Sequence, residues 1–556
     1  MKKIIIAISF FVCLNVLSQE SKPGEREFRI DTTRFGEPKN EFVLPEFVIT
    51  GRETIEVEIG QKVEITDVNL PKVDLNLYQI SSAEKFTPDV PVKNIKDGYV
   101  KFFEKNPIAK FKAGVGRYLT TYFDGILQGN VSKIFSISSN FYHRSSQGFI
   151  ENADYVRNQF SVNAGLYLPK IKDKILDWLG GAKISTAVNY STYSFGFYGS
   201  VSPSFHRNMN KFDLGLYIES PYRNVFDYSL GLNYSIFTLL DTIANYENSN
   251  FGGREKRFDL SFNYRHRVDF LKLRLGVDYT PLPARYLKLG IFAGNLLEFF
   301  EINGNYLLDF GVKLFSFQNF DSVNRFRIYP DVSFKYLAGK KTQVYAFFSP
   351  EVLNLTVSNY LSVNRFLTKN LKIVHPEEYF NLSFGVKYGL SNFGVDAGLN
   401  FKVFKNFPIY VDEDKDGFYS VEFERTQFIE LKSSGYLNYR GNELVFGVIL
   451  NSSYNAKSKK PVPYYPSFSA NLGYKYRFAF GLVINLEIDL ISSRVYNFNG
   501  DELKGFVLVN LGAEYEVFKN FKVFLNFDNL LSQKFYNWHN YLEPNMVFIG
   551  GIEYRF

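Results

Sequence analysis

The stretch Met546-Val547-Phe548-Ile549-Gly550-Gly551-Ile552-Glu553-Tyr554-Arg555-Phe556 decides the fold. Side chains of an extended chain alternate between two faces, so Phe548, Ile552, Tyr554 and Phe556 share one face and Glu553 and Arg555 the other. A strand that is apolar on one side, charged on the other and aromatic at its last residue suits the wall of a membrane barrel. Lipid lies outside such a wall and water inside.

The alternation recurs upstream. Val507, Val509, Leu511, Ala513, Tyr515 and Val517 alternate with Asn510, Gly512, Glu514 and Glu516. Lys519-Asn520 makes a turn, after which Phe521, Val523, Leu525 and Phe527 alternate with Lys522, Asn526 and Asp528. Glu514 or Glu516 in the core of a soluble sandwich would be costly unpaired. In a barrel they face an aqueous lumen, so Glu514, Glu516, Lys522, Asn526 and Asp528 are the candidate lumen-lining residues. The cleanest single strand is Arg257 to Arg265, where Phe258, Leu260, Phe262 and Tyr264 alternate with Asp259, Ser261, Asn263 and Arg265. The series opens at Lys110-Phe111-Lys112-Ala113-Gly114-Val115. This pattern predicts an all-β fold: a transmembrane antiparallel β-barrel over 107–556, with an even number of about 18–22 strands. Long connections are expected at 144–154, 240–255, 406–420 and 453–463.

Composition agrees. Aromatic residues make up 18% of the chain, with 59 Phe and 39 Tyr against 3 Met and 2 Trp. A water-soluble protein would have to bury very many rings, whereas a barrel places them in girdles at both membrane interfaces and on its lipid face. The formal charge of +7 is spread over mixed Lys, Arg, Asp and Glu and leaves no nucleic-acid footprint.

The N-terminal region differs. Lys2 and Lys3 precede the apolar run Ile4 to Leu17, and Val16-Leu17-Ser18 suits cleavage, so 1–18 reads as a signal peptide and Gln19 as the mature start. The single cysteine of the chain, Cys13, falls inside this segment, which leaves the mature chain no disulfide and no Cys-ligated metal. No later run approaches the ~20 apolar residues of a transmembrane helix. Residues 19–106 hold Pro23, Pro38, Pro45, Pro71, Pro88 and Pro91, and read as an extended or partly ordered periplasmic segment.

Several of these stretches carry family resemblances. The last strand resembles the C-terminal signal of bacterial outer-membrane barrels, with Phe548, Ile552, Tyr554 and Phe556 as its insertion face. That resemblance implies outer-membrane lipid and the barrel-assembly machinery as partners. Asn529-Leu530-Leu531-Ser532-Gln533-Lys534-Phe535-Tyr536, followed by Pro544 and the last strand, resembles the late barrel of TonB-dependent outer-membrane receptors. So does Val462-Pro463-Tyr464-Tyr465-Pro466 leading into Ala470-Asn471-Leu472-Gly473-Tyr474. Near the start, Glu46-Phe47-Val48-Ile49-Thr50-Gly51-Arg52 resembles the stretch that leads into a receptor plug. In that family a nearby extended segment adds a strand to a TonB-like periplasmic transducer, a mode that needs free backbone more than particular side chains. A β-prone linker is the other reading of these residues. Only a short span separates Arg52 from the first barrel strand, so the chain resembles a receptor barrel whose plug is missing or reduced. The resemblance implies transport or ligand binding at the bacterial outer membrane. The alternatives are a non-transporting structural or partner-binding platform and, below it, an outer-membrane hydrolase.

Chemical motifs are sparse. Asp412, Asp414 and Asp416 alternate before Gly417 and resemble the start of a calcium loop, but Phe423 stands where such a loop needs its bidentate Glu, and Glu422 is one place early. A solvated acidic turn is the alternative. Gly339-Lys340-Lys341-Thr342 lacks the upstream glycine of a phosphate loop, since Phe334 stands in its place. The histidines His143, His206, His266, His375 and His539 are scattered, and no Gly-x-Ser-x-Gly elbow occurs. We therefore expect no enzyme and no cofactor, calcium at an outer loop being the one metal candidate.

Overall fold

The computed structural model describes residues 108–556 apart from 170–176, 222–225, 244–250, 269–270, 295, 297–304, 340, 369–370, 391, 440–441 and 458. The expected signal peptide, the segment 19–106 and the transducer stretch Glu46 to Arg52 lie outside the described residues. The chain forms a closed antiparallel barrel of 22 strands. Each strand pairs with the next in sequence, and the last, Val547–Arg555, closes on the first, Ile108–Gly116. The thirteenth, Thr342–Phe348, is interrupted and resumes as Glu351–Val352 against the same neighbour, Glu377–Gly389. Closure leaves no unpaired strand edge in the apolar zone, which a spanning sheet requires. Among the described residues no helix is long and apolar enough to cross a membrane.

Closure depends on bare backbone at the seam. Gly551 lies opposite Gly114, and a Cβ on Gly551 would stand 2.0 Å from the Ala113 carbonyl oxygen. On the outer face of the same ladder Val523 pairs with Ile552 and Phe527 with Phe548, all directed away from the lumen. The terminal residues of the insertion face are open to the surroundings: Ile552 is 48% exposed and Phe556 64%. A belt of exposed rings marks this end of the wall, from Tyr167 and Trp178 through Tyr306, Tyr388 and Tyr439 to Phe518 and Tyr554. Such a girdle sits where a membrane barrel meets the headgroups.

The two ends are unequal. Connections at the end holding Ile108 and Arg555 include the short turns 131–134, 338–341, 390–392 and 519–520. The opposite end carries 349–376, 492–505 and 529–546, the last two holding small two-stranded ribbons. The expected long connections need correction. The strands run on into all four, and the connections between them are 147–154, 244–250, 412–419 and 456–467, the last reaching four residues beyond its expected end. Arg144-Ser145-Ser146 is polar on both faces, whereas Phe407-Pro408-Ile409-Tyr410-Val411 is apolar on both and buried by the cap, so in each the period-two signal fades although the ladder continues. Gly339 lies between the twelfth strand and the thirteenth, which begins at Thr342.

Candidate functional site

The wall's inner face is charged but paired. Glu514 accepts from Lys112 at 2.8 Å, and Lys522 lies 3.8 Å from the same carboxylate. Lys110 stands 3.7 Å from Asp124 and 3.8 Å from Glu553, and Arg555 donates to Glu553 at 2.7 Å. These residues come from five neighbouring strands on both sides of the seam, so the pairs cross the closure where the ladder alone would hold it. Asp528 accepts from Arg144 at 3.0 Å, and Asn526 is buried nearby on the same strand. Glu516 lies exposed close to the turn 519–520. A second group joins Lys313 to Asp331 at 2.6 Å and Lys432 to Glu430 at 2.7 Å. Among the described residues these opposite charges lie side by side along the wall.

The other end is bridged by a cap. Phe197, in the connection after the fifth strand Lys183–Gly196, packs on Phe418, in the connection after the fifteenth strand Phe393–Val411. Their ring centroids are 5.2 Å apart, and Val201 N–H donates to the Asp416 carbonyl at 2.8 Å. Ten strands separate these connections in a ring where eleven is the farthest. A barrel of this size is roughly 40 Å across, given strands about 4.8 Å apart and tilted near 40°. Both connections must therefore leave the rim and meet over the mouth. Around them gather Phe366, Tyr419, Tyr464, Phe535, Trp538 and Tyr541 in one buried apolar cluster. Tyr541 donates to the Gly417 carbonyl at 2.7 Å, and Tyr419 to the His539 carbonyl at 2.9 Å, so the buried phenols are satisfied.

The longest described connection, 349–376, runs through this cluster. Its two-turn helix α1 (Val357–Val363) is capped by Thr356, whose side chain accepts from Asn359 N–H while Asn359 accepts from Thr356 N–H. A third orphan donor, Val357 N–H, is met by Glu255 at 2.7 Å from the eighth strand, Phe251–Val268. Beyond the helix, Leu367 bridges to Tyr419, and Phe366 stacks on Tyr541 at 3.5 Å. His375, almost fully buried, lies beside the rings of Tyr286 and Phe317. Burial pushes its pKa down to about 4, so it is neutral at pH 7.

The acidic turn is part of the cap's frame. Asp412 accepts from Asp416 N–H at 3.0 Å and Gly417 N–H at 3.1 Å, and Asp416 accepts from Phe418 N–H at 2.8 Å. Gly417 takes φ +84, which a side chain rarely adopts. No group of three His, Cys, Asp or Glu suited to a metal occurs among the described residues. Of the cap residues, Tyr464 and Phe535 fall in the late-barrel stretches quoted above and the others carry no motif. Their shared sequence signal is the density of aromatics in connections, as in Phe197-Tyr198 and Tyr464-Tyr465, where turns are usually polar.

A closed 22-strand wall with an apolar exterior, a charge-paired interior and loops folded over one mouth defines a membrane β-barrel. The family model of the TonB-dependent receptor-like β-barrel matches residues 102–530, and the chain belongs to that family. Its members are transporters rather than enzymes, and relatives lie in the outer membrane of Gram-negative bacteria. Solved structures share the fold. The copper transporter OprC is 15% identical, with 82% of each chain covered and a TM-score of 0.59. The FrpB iron transporter from Neisseria meningitidis is 10% identical, with 82% of each covered and a TM-score of 0.62. The siderophore receptor PiuA from Acinetobacter baumannii is 10% identical, again with 82% of each covered, and has a TM-score of 0.61. No curated protein sequence matches the chain.

Proposed function

We propose that this protein is an outer-membrane uptake barrel for a metal ion or metal chelate, with the capped mouth facing outward and the strand termini facing the periplasm. The observation that carries the reading is the cap: connections from opposite sides of a receptor-family wall meet over its mouth. Such a cap separates the lumen from the exterior, and the paired charges beneath it offer polar contacts without a net field that would trap one ion sign. The ligand class is supported by what the structural neighbours carry. Strand addition at Glu46 to Arg52 would couple uptake to a TonB-like transducer. The test compares copper and ferric-siderophore accumulation in cells lacking the protein, cells with it, and cells with 46–52 deleted. Loss of uptake in the first and third supports the reading. Equal accumulation in all three overturns it.

A second reading, a partner-binding platform, is favoured by the depth of the cap's apolar core. A mouth bridged by packed rings opens only at a cost, whereas the periplasmic end can receive a protein. Capture of a periplasmic protein other than a transducer, together with unchanged metal accumulation, would select it.

A further inference from the structure

We infer that connection 349–376 is the strap that occludes this barrel and that Arg207 is its anchor; the inference rests on the uptake reading above and deepens it. The strap leaves the wall between the thirteenth and fourteenth strands. It is held by Arg207 on the sixth strand, Phe205–Glu219, and by Glu255 on the eighth. The strap follows the wall through contacts at Tyr286, Thr280 and Glu255, Arg207 grips it seven strands round the ring, and from that grip Phe366 and Leu367 reach Tyr541 and Tyr419 in connections of the far side.

Arg207 is built for this. Its Nε and Nη2 donate to the two oxygens of Asp241 at 2.7 and 2.8 Å, which fixes the guanidinium plane. Its remaining Nη1 donates to the Arg365 carbonyl at 3.0 Å and to the Leu367 carbonyl. The Phe197 ring closes the far side, 4.8 Å from the guanidinium carbon. The residue is 1% exposed. One face of the cation is spent on the wall and the other on backbone that belongs to the strap. Those carbonyls flank Phe366, whose ring reaches Tyr541 in the connection after the twenty-first strand, Phe521–Asp528. The anchor therefore sets the position of the strap at the place where it meets the opposite loops. Lysine would keep the charge but has no planar fork to serve a carboxylate and two carbonyls together.

The test uses the purified full-length protein in planar bilayers. Three changes are made: strap deletion, with 357–367 replaced by a short Gly-Ser link; Arg207→Lys; and the double change Arg207→Met with Asp241→Leu, which leaves no buried orphan charge. Heat-modifiable gel mobility establishes that each barrel is closed. The strap deletion is expected to raise conductance by roughly tenfold or more, because a wide barrel without its occluding element is a water-filled channel. Arg207→Lys and the double change are expected to raise open events in the same direction. A cysteine pair, Leu367→Cys with Tyr419→Cys, placed in the Arg207→Lys barrel, is expected to silence it when oxidised and reopen it when reduced. Wild-type conductance in the closed strap-deleted barrel overturns the strap as occluder. An open strap-deleted barrel beside silent Arg207 variants overturns the anchor. If the variants open the pore while metal accumulation never depended on the protein, the uptake reading fails and the strap stands; uptake that depends on the protein, with conductance unmoved by the deletion, gives the reverse.

Discussion

The wall and the cap are held by different physics. In the wall, backbone ladders satisfy every strand against its neighbour, and side chains are divided between lipid-facing rings and paired charges such as Lys112 with Glu514. In the cap, few ladders exist. Isolated links such as Leu367 with Tyr419 accompany a core of stacked rings from connections far apart in the chain. The wall is thus a cooperative ring that loses little from any one side chain, whereas the cap depends on a few large contacts between remote segments. Local opening at the cap, with the wall intact, follows from that contrast.

The largest expected difference is at Phe366. Phe366→Ala removes a ring that is 1% exposed and stacked on Tyr541, and it should cost the cap about 3–5 kcal/mol. Hydrogen exchange across 349–376 and 529–546 should rise strongly while the heat-modifiable barrel is retained. Unfolding of cap and wall together would break the contrast.

Acid should act on the same region. With its pKa held near 4 by burial, His375 binds a proton less readily in the folded strap than in the open chain, whose ordinary value is near 6.5. Between these values the open chain carries more protons, so strap stability is complete above pH 6.5, falls as the pH drops toward 4, and changes no further below that. The Leu353 backbone offsets the shift in part, and Arg257 adds to it. The full effect is at most about 3 kcal/mol. Exchange of 349–376 measured from pH 7 to pH 4 checks it, and His375→Phe should flatten the profile. A pH-independent strap in the parent protein would remove His375 from the account.

The smallest effect belongs to the wall. Glu514→Ala frees Lys112, yet Glu553 remains 4.0 Å from the same ammonium and the ladder is untouched. A loss of about 2 kcal/mol is expected, because the buried ammonium loses its 2.8 Å partner but keeps Glu553, and it is read as a fall in the denaturation midpoint. A loss as large as that of Phe366→Ala would show that the lumen charges hold the seam more than the ladder does.

The legibility of the two regions in sequence differs for the same reason. Alternation at Phe258 to Tyr264 and at Phe521 to Asp528 is a local signal, because each strand has one face in lipid and one toward the lumen. The candidate residues Glu514, Lys522, Asn526 and Asp528 could be assigned a common face without knowing any partner. Their partners were not legible: Lys112 is 402 positions from Glu514, and Arg144 is 384 from Asp528. Arg207 looks like one more charged wall residue until its contacts with the 349–376 connection are known. The strand end at 406–411 is not legible by alternation, because a bulge between Phe404 and Phe407 and buried apolar residues on both faces hide the pleat.

By itself, the sequence determined a β-barrel wall, its lipid face and its receptor-like late strands, since these rest on period-two patterning and on short motifs that each strand carries alone. Only the tertiary structure decided that the wall has 22 strands, closes at Gly114 and Gly551, and is bridged at one mouth by rings from connections ten strands apart. Closure and cap are contacts between segments hundreds of residues apart. Their free energy comes from ring stacking, buried carbonyls and matched charges that exist only once the ladder has brought those segments together.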